Sequence, residues 1–178
     1  KVVKEFKQEL QLKEDAPYLD GLRHLVFSRN GKVLATADAD YKVRLVDVQT
    51  GKVLHTLDGH TEVAFTLAFS PDDKTLVSGG FDETVRVWDV QTGKHLRTLL
   101  EGKGAARAVA FSPDGKLLAT GADEVALWDT TSWQAKVIPG KNAPVAGIAF
   151  SPGNGRTLAV AAGTQIKLWN VDQILRGN

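Results

Sequence analysis

The histidines are the side chains best suited to bind a metal ion or to transfer a proton near neutral pH. The chain has four of them, His24, His55, His60 and His95. None stands at the short spacing from a second histidine and a carboxylate that is typical of zinc sites. We therefore expect no metal ion and no cofactor, and we expect solvated rings for His55 and His95.

A serine nucleophile is the second kind of catalytic group to consider. Four serines each follow a phenylalanine: Ser28, Ser70, Ser112 and Ser151. Three of them precede a proline, which is typical of a turn, and the Gly-x-Ser-x-Gly element of many hydrolases does not occur. Gly102-Lys103-Gly104 is too short to cradle a phosphate, and no helical pattern follows it. The sequence therefore predicts that the protein is not an enzyme.

Two dipeptide patterns repeat along the chain in phase with each other. Phe-Ser begins at residues 27, 69, 111 and 150, with spacings of 42, 42 and 39. Trp-Asp or a related pair begins at residues 46, 88, 128 and 169, with spacings of 42, 40 and 41. A period near 40 residues indicates a repeat architecture. Asp47, Asp89 and Asp129 recur with the second pattern, so we interpret them as turn residues and not as catalytic acids.

The segments between these marks look like short strands separated by turns. Apolar runs at residues 63–69, 76–78 and 85–88 alternate with turn clusters such as Ser70-Pro71-Asp72-Asp73. No window has a convincing helical period of 3.6. Each unit therefore predicts about four short antiparallel strands, as in a propeller blade. The expected fold class is all-β, with four blades in the chain.

One unit, residues 59–89, carries four motifs in order. They are Gly59-His60, Phe69-Ser70-Pro71-Asp72, Ser78-Gly79-Gly80-Phe81-Asp82 and Val87-Trp88-Asp89. In these motifs the chain resembles the WD40 family, and the resemblance extends from about residue 22 to 170. It implies a structural hydrogen-bond tetrad, which by position consists of His60, Ser78, Asp82 and Trp88. A buried imidazole between a carboxylate and a hydroxyl leaves no polar atom unpaired.

The other three units depart from this pattern. The first has Val46 in place of the tryptophan and Tyr18 in place of the histidine. Gly102 and Lys141 replace the histidine in the third and fourth units, and Val160 lies near the hydroxyl position of the fourth. We therefore expect the complete network only in the second unit, and we expect that unit to be the most rigid.

The two ends of the chain complement each other. Outer strands are expected at residues 52–57, 94–99 and 134–138, but none follows Trp169-Asn170, whereas residues 2–10 resemble a spare outer strand. The expected division is an outer strand at 1–12 and blades at 13–57, 58–99, 100–138 and 139–178. Three arrangements remain open: two copies forming a ring of about eight blades, a piece of a longer propeller, or four blades closing alone. We favour the two-copy ring.

A partner-binding surface is implied by the same resemblance. In WD40 domains, partners usually dock where the innermost strands begin and at the tight turn before the tryptophan strand. The matching residues are Val63, Phe65 and Phe81, flanked by Arg23 and Arg107. Aromatic side chains with arginine are typical of interface hot spots. The alternative for Phe65 is an inward orientation that packs one blade on the next.

The composition narrows the function classes. The chain has 178 residues, a net charge of +1 and no cysteine. It therefore lacks the clustered basic charge of a nucleic-acid surface and any thiolate or disulfide chemistry. No apolar stretch approaches the roughly 18 residues that span a bilayer. These features favour a soluble, cytoplasmic protein without identifying its compartment.

The leading hypothesis is a non-catalytic protein–protein interaction scaffold whose partners are other proteins and a second copy of itself. One alternative is a regulatory or sensor segment of a larger multidomain protein. The sequence has no methionine, even at position 1, which favours this alternative. A second is an excised or engineered propeller fragment. A third is an enzyme that uses the central channel. That would require histidines and carboxylates at the starts of the inner strands, where small and apolar residues stand instead.

Overall fold

A computed structural model describes residues 21–100, 104–138 and 144–177. The predicted strand at residues 2–10, Tyr18, Gly102 and Lys141 lie outside these ranges. Within them the chain forms four antiparallel sheets and one short helix. The all-β expectation is therefore confirmed. The number of blades in a complete ring stays a prediction.

Three sheets have four strands each, paired in chain order. Sheet 1 contains β1 (Leu22–Phe27), β2 (Val33–Asp38), β3 (Val43–Asp47) and β4 (Val53–Leu57). Sheet 2 contains β5 (Ala64–Phe69), β6 (Thr75–Gly80), β7 (Thr84–Asp89) and β8 (His95–Leu100). Sheet 3 contains β9 (Ala108–Phe111), β10 (Leu117–Gly121), β11 (Val125–Asp129) and β12 (Ala135–Ile138).

Sheet 4 has three strands in the described residues, β13 (Val145–Phe150), β14 (Thr157–Ala162) and β15 (Gln165–Asn170). The helix α1 (Val171–Arg176) follows, with Asn170 as its N-cap and Gly177, in the left-handed region, as its C-cap. No helical segment was expected here, because six residues are too few to show a period. The capping residues were the readable signal. No helix in the described ranges is long and apolar enough to cross a bilayer.

The recurring serine closes the first hairpin of a sheet. Ser70 Oγ donates to Asp72 Oδ1 over 2.6 Å and accepts from the amide of Thr75 over 3.0 Å. Ser112 makes the same two bonds, with Asp114 and Leu117. The interpretation of these serines as turn residues is therefore confirmed.

The recurring aspartate closes the last hairpin in a similar way. Asp89 Oδ1 accepts from both the amide and the hydroxyl of Thr92, each over 2.7 Å. Asp47 and Asp129 hold equivalent turns through Thr50 and Ser132. The hydrogen bonds from Thr92 lower the pKa of Asp89. These carboxylates are occupied by their own turns, as the repeat indicated.

The hydrophobic core lies between the sheets, in three clusters. The first strands of consecutive sheets pack beside one another, β1 on β5, β5 on β9 and β9 on β13. The approach is close, since a Cβ on Gly79 would lie 2.8 Å from the carbonyl oxygen of Ala106 in sheet 3. A Cβ on Gly121 would lie 2.5 Å from Val145 Cγ1 in sheet 4. Small residues therefore permit the sheets to stack at their inner strands.

Candidate functional site

A chain of hydrogen bonds runs through sheet 2. The indole Nε1 of Trp88 donates to Ser78 Oγ over 2.8 Å, and Ser78 Oγ lies 2.7 Å from His60 Nε2. On the other side of the imidazole, Nδ1 lies 2.9 Å from Asp82 Oδ2. Ser78 and Trp88 come from the neighbouring strands β6 and β7, while Asp82 lies in the turn that joins them. The structure thus brings these four residues together.

The order of donors follows from the groups present. The indole nitrogen can only donate, so Ser78 Oγ accepts from it and its own proton is directed to His60 Nε2. His60 Nδ1 then carries a proton toward the Asp82 carboxylate, which also accepts from Thr84 Oγ1 over 2.9 Å and from the amide of Thr61 over 3.1 Å. Every polar atom of the tetrad is satisfied.

The acidity of Asp82 reflects this environment. Burial alone raises the pKa of its carboxyl group, but the hydrogen bond and the electrostatic interaction with His60, with the bonds from Thr84 and Thr61, outweigh burial. Together they lower the pKa of Asp82 to about 2. The carboxylate therefore stays ionised and fixes the imidazole.

The order Ser–His–Asp is also that of hydrolytic triads. Here, however, Ser78 is 0% exposed, and one lone pair of its oxygen is held by Trp88. His60 is likewise buried. A substrate has no route to this hydroxyl, so the arrangement can position strands but cannot attack a carbonyl group.

Sheet 3 retains half of the network. Trp128 Nε1 donates to Thr120 Oγ1 over 2.9 Å. Thr120 Oγ1 has the backbone oxygen of Ala126 at 3.5 Å, in place of an imidazole. The tryptophan–hydroxyl bond is therefore the part of the tetrad that sheets 2 and 3 share.

Sheet 1 contains a charged group that the sequence analysis missed. The Arg44 guanidinium donates to Asp38, and it also donates to Asp40 Oδ1 over 3.0 Å and to Asp40 Oδ2 over 2.6 Å. All three residues are buried. Asp40 stands where Asp82 stands in sheet 2, but its carboxylate pairs with Arg44 and not with an imidazole. The Asp-x-Asp spacing, with an arginine four residues after Asp40, was the available signal.

The two carboxyl groups of this cluster differ. Burial raises the pKa of Asp38, although its bond to Arg44 opposes the rise. Burial acts in the same direction on Asp40, but there the Arg44 bonds prevail and lower the pKa. Both carboxylates in turn raise the pKa of Arg44. A guanidinium shared between two buried carboxyl groups thus stabilises the β2–β3 hairpin of sheet 1. The tetrad occupies the equivalent place in sheet 2.

Two further histidines have structural contacts. His55 Nε2 lies 3.0 Å from the carbonyl oxygen of Gln91, which joins sheet 1 to the last hairpin of sheet 2. The His95 ring is exposed, yet it packs edge-on against Trp88 with 5.2 Å between centroids. The expected position on outer strands is confirmed for both residues, and the His95 ring is solvent-exposed as expected. His55 is only partly exposed, because the Gln91 turn of the next sheet approaches its ring.

An aromatic pair is exposed at the inner end of sheet 2. Phe65 and Phe81 are 40% and 37% exposed, and their rings meet edge to face with 5.4 Å between centroids. The Arg107 guanidinium of sheet 3 lies 5.8 Å from the centre of the Phe81 ring. We call Phe65, Phe81 and Arg107 the aromatic patch. The alternative of an inward Phe65 does not describe this structure.

A β-bulge explains why Phe65 faces outward. Ala64 pairs with Gly80 and Thr66 with Gly79, so Phe65 has no partner in the register. Sheets 1 and 4 skip Arg23 and Ala146 in the same way. A bulge turns the extra side chain away from the regular alternation. The bulge therefore directs the residue at this position to one end of each of these sheets.

Val63 differs from its neighbours in the predicted surface. Its side chain is 2% exposed, and its carbonyl oxygen accepts from the amide of Phe81 over 2.9 Å. It therefore supports the turn that carries Phe81 and offers no surface to a partner. The prediction that Val63 contacts a partner, which the WD40 resemblance implied from its position, is wrong because the side chain is packed in the interior. Arg23 is partly buried at the bulge of sheet 1.

Metal-binding geometry is absent from the part of the chain that the structure describes. No group of three or more histidine, cysteine, aspartate or glutamate side chains is placed to hold a metal ion there. The carboxylates of Asp38 and Asp40 are engaged by a guanidinium, and that of Asp82 by an imidazole.

The stacked antiparallel sheets and the tetrad define a propeller-like repeat protein. The family described as WD domain, G-beta repeat matches residues 51–89 and 93–129. The Anaphase-promoting complex subunit 4 WD40 domain family matches residues 20–66. The chain belongs to the WD40-repeat family, whose members generally mediate protein–protein interactions as scaffolds. No curated protein sequence matches it.

Proposed function

We propose that this chain is a non-catalytic scaffold that binds a protein partner through the aromatic patch. The observation that supports this proposal is the exposed pair Phe65 and Phe81 with Arg107 beside it. Two aromatic rings in contact form a rigid apolar surface that loses little conformational entropy on binding. An arginine at its border supplies hydrogen-bond donors for a carboxylate or a carbonyl group of the partner.

The scaffold beneath the patch is preorganised. Phe81 lies in the turn held by the Asp82 bonds to Thr84 and Thr61, and its amide is bonded to the Val63 carbonyl group. Phe65 is fixed by the bulge between Ala64 and Thr66. Rigid elements that present a few anchor side chains bind with a smaller ordering cost than mobile loops.

The test compares affinity purification with the wild-type chain and with Phe65→Ala/Phe81→Ala. The expected result is that the double variant loses the specific partner while its thermal unfolding stays close to that of the wild type. Leu96→Ala is the matched control, since Leu96 is an exposed apolar residue of the outer strand β8. Equal recovery of the partner by all three proteins would exclude the patch as the docking site.

A second copy of the chain is a further partner in this proposal, with each sheet acting as one blade of a shared propeller. Sheets 1 to 3 have an outer strand, whereas β15 has none beside it in the described residues. Residues 2–10, with strand-like apolar spacing, would complete that edge in the other copy. Exchange of a strand would remove an open sheet edge, which is an aggregation hazard.

A further inference from the structure

The three interfaces between consecutive sheets use equivalent positions. The face of sheet 2 that meets sheet 3 includes Val85 and Val87 of β7, both 0% exposed. The equivalent residues of β3, Val43 and Leu45, lie in the cluster between sheets 1 and 2. Those of β11 lie in the cluster between sheets 3 and 4. We call this side of a sheet its trailing face.

The opposite side of each sheet receives the trailing face of the sheet before it. In sheet 2 it includes Leu67 and Phe69 of β5, which belong to the cluster shared with sheet 1. Val109 and Phe111 occupy these positions between sheets 2 and 3. We call this side the leading face. Every internal contact therefore joins one trailing face to one leading face.

Within the ranges that the structure describes, nothing packs on the trailing face of sheet 4. Counted back from Trp169, Ile166 and Leu168 stand where Val85 and Val87 stand before Trp88. They are 77% and 72% exposed. The same register thus places two large apolar side chains in solvent at positions that are buried in each earlier sheet.

No described residue covers the leading face of sheet 1. Leu25 and Phe27 occupy the positions of Leu67 and Phe69, because Leu25 pairs with Thr36 as Leu67 pairs with Ser78. They are 54% and 55% exposed, whereas Leu67 is buried. The first sheet therefore exposes a leading face, and the last sheet exposes a trailing face.

We propose that the trailing face of sheet 4 packs against the leading face of sheet 1 in a second copy of this chain. The occupant follows from the three internal interfaces, which already join these two kinds of face through the same positions. Each copy has one face of each kind, so two copies joined head to tail at both ends close a ring of eight sheets. This inference rests on the proposed function, in which each sheet is one blade of a shared propeller. It adds the residues that form the contact between the two copies.

Two charged variants test the contact. Ile166→Glu/Leu168→Glu alters the trailing face, and Leu25→Glu/Phe27→Glu alters the leading face. Leu96→Glu/Val137→Glu is the control, because both residues are exposed apolar side chains of outer strands and belong to the internal sheets 2 and 3. All altered positions are exposed in the single chain, and far-UV circular dichroism checks that each variant folds.

The measurement is native mass by sedimentation equilibrium from low micromolar to submillimolar concentration. The wild type and the control should have the mass of two chains, and each face variant that of one. A mixture of the two face variants should regain a two-chain species, because one interface pairs an intact trailing face with an intact leading face.

Three outcomes would overturn the contact. They are a one-chain mass for the wild type, a two-chain mass for either face variant, and a mixture that stays single. The first includes the case in which residues 1–20 of the same chain cover a face. Partner capture through Phe65 and Phe81 is measured separately, so either proposal can fail without the other.

Discussion

The indole of Trp88 and the hydroxyl of Ser78 are joined across neighbouring strands by a hydrogen bond of 2.8 Å. The equivalent bond in sheet 3, between Trp128 and Thr120, measures 2.9 Å. Only in sheet 2 do the described residues continue the chain through an imidazole to a carboxylate. The Ser78 hydroxyl thus connects the indole to the imidazole in the tetrad.

Replacement of that hydroxyl should destabilise the fold. Ser78→Ala leaves both Trp88 Nε1 and His60 Nε2 without a partner in a buried site, so we expect a loss of about 1–3 kcal/mol in the free energy of unfolding. Thr120→Val removes the partner of Trp128 and should have a smaller effect. Urea unfolding of both variants measures this, and a Ser78→Ala change below about 0.5 kcal/mol would contradict it.

The buried cluster in sheet 1 predicts a larger effect. Arg44→Met leaves the carboxyl groups of Asp38 and Asp40 buried without their guanidinium, and a loss of about 3–5 kcal/mol is expected. Arg156→Met is the control, because the Arg156 side chain is 70% exposed and its carboxylate partner Asp172 lies 3.8 Å away. Addition of Asp38→Asn and Asp40→Asn to Arg44→Met should recover part of the loss. Similar stabilities of the two arginine variants would argue against a structural role for the cluster.

The tetrad also predicts a dependence on pH. The pKa of Asp82 is about 2 in the folded chain against an ordinary 3.8, so the unfolded chain binds the proton more tightly. The resulting stability is present above about pH 4 and is lost as the pH falls toward 2, with a size of about 2 kcal/mol. The stability difference between wild type and Asp82→Asn should therefore shrink over this interval. A constant difference in urea unfolding from pH 5 to pH 2 would be inconsistent with the bonding described.

Rigidity should differ among the sheets. The amides of β6, which pass beside the complete tetrad, should exchange with deuterium more slowly than those of β14, where Val160 stands near the hydroxyl position. Both are central strands of their sheets, but sheet 4 has a neighbouring sheet on one side only. β10 of sheet 3, which has sheets on both sides and only the tryptophan–hydroxyl bond, is therefore the matched control and should exchange at an intermediate rate. Exchange of β14 as slow as that of β6 would mean that inter-sheet packing, and not the tetrad, sets the local stability.

The sequence was sufficient for features that depend on local chemistry. The Ser-Pro-Asp turns and the alternating strands follow from side chains that bond their own backbone and from a period of two. β4, β8 and β12 each begin one residue after the predicted outer strand. The motifs around Trp88 also named the four residues that the structure joins by hydrogen bonds.

Features that depend on strand register or on contacts with distant residues could not be predicted from the sequence. The bulge at Phe65 turns that ring outward while Val63 stays buried, although the WD40 resemblance implied a surface position for both. The pairing of Arg44 with Asp38 requires knowledge of which side of the β2–β3 hairpin is buried. His55 contacts Gln91 of the next sheet, and no local pattern indicates such a contact.

The close approach at Gly79 has a consequence for the geometry of the whole assembly. Ala37, Gly79, Gly121 and Ala161 occupy one position in the four sheets, and at Gly79 and Gly121 a methyl group would already collide with the next sheet. The size of the residue at this position determines how closely neighbouring sheets approach each other at their inner strands. A bulkier residue would splay them, change the angular step from one sheet to the next, and so alter how many sheets are needed to complete a full turn.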